Sequence, residues 1–229
     1  MRLNKYVQEN LGISRRTFVE LVSKWQVFLD WNKIESIWFE VCGGEKLQIR
    51  SLHLDKKVEI SDVVEIILFN KPMWYVCSKS DNHNKTIYEI LPWEFSNYFY
   101  IGRLDKDSRG LLILTNNSDI VNKYQHPRFG VEKEYLVQID RPFSPSDFKK
   151  VKKWIVDEWE LLTVKTLKYY DQKNKYFVKI ILWEGKKRHI RRILNNLWYK
   201  ILDLVRVREL QFELWNLKEG CYRKLKINN

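Results

Sequence analysis

Apolar residues recur three and four positions apart in the first 24 residues, which predicts two short helices. The inward-facing positions are Leu3, Tyr6 and Val7 in the first helix, and Phe18, Leu21 and Val22 in the second. Ser14 precedes the second helix and is its predicted N-cap. Alternation in "VFLD" and "KIESI" then indicates strands.

From Val63 onwards the chain is dominated by strand-like runs: "VVEIILF", "WYVCS", "GLLILT", "EYLVQI" and "KYFVKIIL". Helical stretches lie between them: "TIYEILPWEF", "DIVNKYQ", "SPSDFKKVKKW" and "RHIRRILNNL". The order lacks the strict alternation of a doubly wound sheet, so we predict an α+β fold with a mixed, mainly antiparallel sheet flanked by helices. The charged segment "HLDKKVEISDVV" is interpreted as a linker, which gives two predicted domains, residues 1–58 and 63–229.

The formal charge of +12 is spread through the whole chain and indicates a long polyanionic partner, with nucleic acid as the first candidate. An anionic membrane is the rival, but no long basic amphipathic helix or lipidation signal supports it. The predicted helical pair contributes Arg2, Lys5, Arg15, Arg16 and Lys24. On charge alone, those five residues are better explained as a solvated helix face.

Several classes of protein are disfavoured by composition. The N-terminus lacks the apolar stretch of a signal peptide, and no apolar run approaches the roughly 20 residues of a spanning helix. Cys42, Cys77 and Cys221 are far apart, and four histidines are scattered, so neither a disulfide framework nor a metal site is indicated. We expect a reduced, cytoplasmic protein without metal or cofactor.

Four motifs resemble a known enzyme family. "GRLDKDSRGLLILTNN" (102–117) is similar to the signature of the pseudouridine synthases of the ribosomal small-subunit type and their large-subunit relatives. "NKPMWYVCSKSD", "HPRFGVEKEYLVQID" and the C-terminal stretch from "EGKKRHIRRILNNL" agree in order and spacing. Residues 2–34 resemble an S4 RNA-binding domain, which implies that Arg15 and Arg16 contact RNA phosphates.

The resemblance implies that uridine is isomerised to pseudouridine, which breaks the N1–C1′ bond and rejoins the base through C5. It assigns the catalytic carboxylate to Asp105, as a nucleophile on the sugar or as the group that starts proton abstraction toward a glycal. Arg191 is the implied ion-pair partner that keeps Asp105 charged, and Tyr135 is the tyrosine that packs on the flipped-out base. Without the resemblance, Arg191 would be one more phosphate-facing arginine and Tyr135 a core tyrosine.

Further residues receive weaker assignments. Arg103 is expected to help displace the target base, and Arg188 and Arg192 are expected to bind RNA. Asp107 and Ser108 are interpreted as turn and cap residues, and Gly110 as a tight backbone position. His189 stands where the family commonly has glutamine, and it is left out of the catalytic set.

Three functions remain to be separated. The first is a ribosomal RNA pseudouridine synthase. The large subunit is favoured as its substrate because "GRLDKDSRGL" and "EKEYLV" look closer to the large-subunit members of the family, and tRNA is the alternative substrate. We expect a monomer by default. The second is a catalytically inactive S4-type ribosome-assembly factor. The third is a metal-dependent nuclease, which would need a carboxylate cluster that the sequence does not display.

Tryptophan is unexpectedly frequent, with ten residues against eight glycines. Trp25, Trp31, Trp74, Trp198 and Trp215 stand where the resembled family has glycine, with Trp38, Trp154 and Trp159 as further candidates. "LDWNK" also lies between two strand patterns, where Asp-Gly would form a tight hairpin. We hypothesise that the source organism reads UGA as glycine; the alternative is ten genuine tryptophans.

Overall fold

The computed structural model describes residues 1–60, 63–125, 129–153 and 155–227. Its α-helices are α1 (Leu3–Leu11), α2 (Arg15–Ser23), α3 (Ser118–Gln125), α4 (Pro145–Lys153) and α5 (His189–Asn196). Its first strands are β1 (Val27–Leu29), β2 (Asn32–Lys33), β3 (Lys46–Ile49), β4 (Leu54–Lys57), β5 (Val64–Lys71), β6 (Phe99–Ile101), β7 (Arg109–Thr115) and β8 (Lys133–Ile139). The remaining strands are β9 (Ile155–Asp157), β10 (Glu160–Leu162), β11 (Thr166–Asp171), β12 (Asn174–Leu182), β13 (Ile201–Glu209), β14 (Phe212–Glu213) and β15 (Tyr222–Ile227).

The N-terminal part packs the predicted helical pair against a four-stranded sheet in the order β2-β1-β3-β4. All six inward-facing positions predicted for the two helices are buried. Ser14 caps α2 as predicted, because its hydroxyl accepts a hydrogen bond from the backbone N–H of Thr17 at 3.1 Å. The apolar residues of this part form a hydrophobic cluster of their own, which ends at Val58.

The segment interpreted as a linker is only partly one. Residues Leu54–Lys57 form β4, which pairs with β3, and Val58 is buried in the N-terminal cluster. "LDKK" shows no apolar–polar alternation that would predict a strand, because three of its four side chains are exposed and polar. Pairing with β3, rather than side-chain burial, therefore holds these residues in the sheet.

A large mixed sheet dominates the rest of the protein, in the order β11-β12-β8-β13-β7-β5-β15, with β6 on β7 and β14 on β13; β9 and β10 form a separate hairpin. Among the described residues, every pairing in the large sheet is antiparallel except that of β13 with β7, which is parallel. The predicted α+β class and the mainly antiparallel sheet are confirmed. The parallel pair places Arg206 beside Gly110, at the start of the signature strand β7.

Three predicted elements are wrong. "KIESI" is not a strand, because only its first residue, Lys33, belongs to the two-residue strand β2. "WYVCS" is not a strand, and only Val76 makes an isolated bridge, to Thr86. "TIYEILPWEF" forms two single-turn 3₁₀ helices, Ile87–Glu89 and Trp93–Phe95, instead of one α-helix. Pro92 explains the interruption, since proline cannot continue the hydrogen bonds of a helix.

The N-terminal part contacts the larger sheet through α1. Glu9 accepts a hydrogen bond from the N–H of Ser118 at 2.7 Å, and Lys5 pairs with Asp119 at the start of α3. Asn97 donates to the carbonyl of Asn10 at 3.4 Å. Among the residues that the structure describes, no helix is both long and apolar enough to cross a bilayer.

Candidate active site

The first part of the signature motif, residues 102–108, forms the loop between β6 and β7. The backbone of this loop is fixed by close neighbours. Gly102 has a φ of 67°, and a Cβ added there would lie 2.9 Å from Oε1 of Glu209. The N–H of Ser108 donates to the carbonyl of Asp105 at 3.1 Å and closes the turn. Gly102 therefore has to be glycine, both for its backbone conformation and for the space that Glu209 occupies.

Lys71, at the end of β5, clamps this loop from the protein interior. Its ammonium group is fully buried and donates to the carbonyls of Pro72 at 2.9 Å, Ser108 at 2.8 Å and Asp105 at 3.3 Å. Burial lowers the pKa of Lys71 from 10.5 to about 8. The loop that carries Asp105 is thus tied directly to a core strand.

The two aspartates of the motif have different surroundings. Asp107 pairs with Arg188 at 3.0 Å and with Arg191 at 3.3 Å, and both arginines belong to the start of α5. Burial acts to raise the pKa of Asp107, but these two guanidinium groups outweigh it and hold the pKa below its usual value. Asp107 is therefore more than a turn residue: it joins the signature loop to α5.

Arg191 does not form the predicted ion pair with Asp105. Its Nη2 instead donates to the carbonyl of Asp107 at 2.7 Å and to the hydroxyl of Ser108 at 3.1 Å. Burial lowers the pKa of Arg191, with the charge of Asp107 opposing that shift more than the charge of Asp105 does. In the described part of the chain, the buried Nε of Arg191 has no hydrogen-bond partner, so this donor is left for another acceptor.

Tyr135 lies on β8, is buried, and belongs to the main hydrophobic cluster. Burial raises the pKa of Tyr135; Glu209 and Asp105 act in the same direction, and Arg206 opposes them. Tyr135 and Arg191 both border the loop that carries Asp105. Arg191 bonds Asp107 and Ser108, and Tyr135 is the cross-strand partner of Arg206, which donates to the Arg103 carbonyl. The structure brings together the three residues proposed from sequence, although without the expected ion pair.

The predicted RNA-binding residues fall into two groups. Arg2, Arg15 and Arg16 are exposed on the N-terminal part, and Arg2 and Arg15 both lie over the ring of Trp38, 5.1 Å from its centre. The other two residues of that group are engaged within the chain: Lys5 pairs with Asp119, and Lys24 with Glu20 on its own helix.

The second group lies near the signature loop. Arg103 is exposed there, and Arg188 is exposed but paired with Asp107. Arg192 pairs with Asp157 and Glu160 of the β9–β10 hairpin, so its guanidinium anchors α5 to that hairpin. An open cavity of about 440 Å³ runs beside this face of α5; it is lined by Arg188, Arg191, Arg192, Asn195, Trp198, Tyr199, Lys200 and Ile201.

Three buried charged residues around the loop were missed from the sequence: Lys71, Arg206 and Glu209. Each follows or interrupts an apolar run, in "ILFNK" and in "LVRVRE". A charge inside a strand pattern is a signal that it needs a buried partner. These charged residues within or after apolar runs could therefore have been used to predict a buried charged cluster from the sequence.

A mixed sheet that carries a loop with two aspartates against an arginine-rich helix fits the class of RNA-modifying enzyme indicated by the motifs. Residues 65–196 match the family described as RNA pseudouridylate synthase. The dual-specificity RNA pseudouridine synthase RluF of Escherichia coli (strain K12) is 32% identical over 226 residues, covering 98% of this chain and 75% of the relative. The ribosomal large subunit pseudouridine synthase B of Buchnera aphidicola subsp. Schizaphis graminum is 30% identical, covering 96% of this chain and 88% of the relative.

A solved structure described as a pseudouridylate synthase shares the fold, with a TM-score of 0.67 at 24% identity, and covers 98% of this chain and 96% of that one. The chain belongs to the RNA pseudouridine synthase family, in the branch that includes RluF and the RsuA-like enzymes. It is accordingly an enzyme.

Proposed function

We propose that this protein converts a uridine of large-subunit ribosomal RNA to pseudouridine, with Asp105 as the catalytic carboxylate. The observation that carries the proposal is the placement of Asp105 on a loop that is clamped by Lys71 and bonded by Arg191, with Tyr135 on the adjacent strand opposite Arg206. In the described residues no ion pair engages the Asp105 carboxylate, whereas Asp107 makes two. Asp105 is therefore the acid of the motif that is available to a substrate.

The reaction needs a carboxylate at the sugar and a surface for the extruded base. The Asp105 carboxylate either attacks C1′ or removes a sugar proton, and in both routes the N1–C1′ bond breaks and the base leaves as an anion. The base then turns and bonds to C1′ through C5. In the first route this step expels the Asp105 carboxylate from C1′, and in the second route Asp105 returns its proton to the sugar. The proton on C5 is then lost, and N1 takes up a proton. Tyr135 packs against the displaced base, and the unpartnered Nε of Arg191 donates to an oxygen of the reacting nucleotide or of Asp105.

The rest of the molecule binds the RNA. We propose that residues 1–58 are an S4 RNA-binding domain and residues 63–229 the catalytic domain. Arg2, Arg15 and Arg16 offer exposed charge for phosphate contacts on the first, and Arg103 does so beside the loop on the second. An RNA substrate of this kind implies a cytoplasmic protein, and we propose that it acts as a monomer without metal or cofactor.

The large subunit is proposed because a relative named for that substrate aligns with 96% of this chain. The test is pseudouridine mapping on small-subunit RNA, large-subunit RNA and tRNA after incubation with the wild type or with Asp105→Asn. We expect one new site in large-subunit RNA with the wild type and none with the variant. Equal modification by both would overturn the role of Asp105, and modification of tRNA or small-subunit RNA alone would overturn the substrate.

A further inference from the structure

A buried ion pair lies directly behind the signature loop. Arg206 and Glu209, both on β13, are 0% and 1% exposed, and Nη2 of Arg206 lies 3.0 Å from Oε2 of Glu209. Burial acts against the charge of Arg206, but Glu209 and Tyr135 outweigh it and raise the pKa of the guanidinium. Arg206 is therefore charged inside the protein, where it cannot reach RNA.

The guanidinium of Arg206 contacts three parts of the site. Nε donates to the carbonyl of Leu111 on β7 at 2.7 Å, and Nη1 donates to the carbonyl of Arg103 at 3.4 Å. Arg103 lies two residues before Asp105 in the loop. Across the sheet, Arg206 is the register partner of Tyr135, so the same side chain lies beside the tyrosine.

Glu209 completes the arrangement from the other side. Its Oε1 occupies the space where a side chain on Gly102 would begin, 2.9 Å from that Cβ position, and lies 3.9 Å from Nζ of Lys133. The pair thus fills the volume between β13 and the start of the loop. A planar guanidinium that is hydrogen-bonded to two carbonyls and paired with a carboxylate keeps a fixed direction, which a single ammonium group would not.

We propose that the Arg206–Glu209 pair is a positioning element that fixes the direction of Asp105 and the placement of Tyr135 relative to each other. It acts through the Arg103 carbonyl and through its contact with Tyr135, and it does not touch the RNA. Displacement of a reacting group by about 1 Å can cost about 100-fold in rate. Loss of the pair should therefore reduce kcat and leave RNA binding intact. This inference rests on the proposed function.

The test compares Arg206→Lys with Arg208→Lys. Arg208 lies on the same strand and pairs with Glu132 and Glu134, and in the described part of the chain none of its hydrogen bonds or ion pairs reaches the loop. We expect Arg206→Lys to lower kcat about 10- to 100-fold with KM for the RNA changed less than about threefold. Arg208→Lys should keep the wild-type kcat.

Two further variants cover the case in which Arg206→Lys does not fold. Glu209→Gln keeps the size of the side chain, and Gly102→Ala places a methyl group against Glu209, so both should lower kcat without a matching rise in KM. If either is folded and retains wild-type kcat, or if the loss appears in KM alone, the positioning role is wrong. A wild type that forms no pseudouridine would instead overturn the proposed function, so the two failures are distinguishable.

A second inference rests on backbone conformation. Trp25, Trp31, Trp74, Trp159, Trp198 and Trp215 have φ values between 50° and 73°, a region that only a few per cent of non-glycine residues adopt. None of the 12 tyrosines or 11 phenylalanines has a positive φ, whereas seven of the eight glycines do. Within the described ranges these tryptophans therefore behave as glycines and not as aromatic residues.

Exposure and local structure agree with the backbone. The same six tryptophans are 52% to 100% exposed, although tryptophan is usually largely buried. Asp30 and Trp31 both have positive φ between β1 and β2, as an Asp-Gly hairpin turn requires. Trp198 follows the last residues of α5, where glycine allows the left-handed end of a helix.

We infer that these six positions are glycine in the protein as its own organism makes it, because UGA codons there are read as glycine. All five positions singled out from the sequence have a positive φ. Of the three further candidates, Trp159 has a positive φ, Trp38 does not, and Trp154 lies outside the described residues. Trp74 and Trp198 are then not base-stacking surfaces, and the cavity beside α5 is wider in the natural protein.

The codons of the native gene and peptide masses of the native protein test this directly. UGA codons with glycine masses at these six positions support the inference, and UGG codons with tryptophan masses overturn it. The chain with all six changed to glycine should also melt roughly 10 °C or more above the chain as written. Changing Trp93 and Trp183 to glycine is the matched control, because neither has positive φ, and it should not raise the melting temperature.

Discussion

The loop that carries Asp105 depends on one buried lysine, and Lys71→Met tests that dependence. Methionine keeps the length of the side chain but removes the donors to the carbonyls of Pro72, Asp105 and Ser108. Hydrogen bonds to a charged group contribute about 1.5–3 kcal/mol each, roughly 4–9 kcal/mol for three. The fall in the pKa of Lys71 from 10.5 to about 8 corresponds to about 3 kcal/mol that burial of the charge costs. We expect Lys71→Met to be less stable by about 2–5 kcal/mol at pH 7.

The pH dependence gives a sharper signature. Between about pH 8 and 10.5, unfolded chains hold a proton on Lys71 that folded chains have lost, so this group makes the protein more stable as the pH rises. Methionine has no proton to lose, and the other titrating groups are the same in both proteins. The stability difference between wild type and Lys71→Met should therefore grow by up to about 3 kcal/mol from pH 7 to pH 10.5.

Urea unfolding at pH 7 and pH 10 measures both quantities, and kcat measured under native conditions reports on the loop. Lys79→Met is the matched control, since Lys79 bonds the carbonyl of Ser96 away from the signature loop, and it should keep the wild-type kcat. If the stability difference does not change with pH, the lowered pKa of the buried Lys71 is refuted. Wild-type kcat in a folded Lys71→Met protein would refute the clamp.

Three other substitutions give separate tests. Asp107→Asn removes the charge that anchors Arg191, so kcat should fall about tenfold. A variant with the wild-type kcat would argue against that anchor. Gly110→Ala places a Cβ 2.4 Å from the carbonyl oxygen of Arg206 at a φ of 108°, so chemical denaturation should show a loss of about 3 kcal/mol; an unchanged midpoint would contradict the close approach. Ser14→Ala removes the cap of α2 and should cost about 1 kcal/mol in thermal unfolding without lowering kcat at saturating RNA.

The sequence predicts the elements whose apolar spacing is regular. The helix of residues Arg15–Ser23 and the strand of residues Arg109–Thr115 follow directly from spacing, because one face or run of each is buried. The strand Ile201–Glu209 was not predicted, since Arg206 and Glu209 interrupt its apolar pattern. Those charges are compatible with a central strand only because they neutralise each other, and spacing along one strand does not reveal that pairing.

The sequence indicated residues around the loop but not their contacts. Family resemblance indicated Asp105, Tyr135 and Arg191, and their catalytic roles stay predictions; Arg191 bonds the loop at Asp107 and Ser108. The partner of Arg191 is Asp107, because α5 begins beside the second aspartate of the loop. The tertiary packing of α5 decides whether Arg191 pairs with Asp105 or with Asp107, more than 80 positions earlier in the chain. The local sequence contains no information on that packing.

The most direct test of the account is release of tritium from RNA labelled at C5 of uridine, because C5 loses its hydrogen when it bonds to C1′. Single-turnover reactions with excess enzyme would compare the wild type, Asp105→Asn and Asp107→Asn, with RNA binding measured in parallel. We predict release by the wild type, slower release by Asp107→Asn, and none by Asp105→Asn despite retained binding. Release by Asp105→Asn at the wild-type rate would contradict the assignment of the catalytic carboxylate.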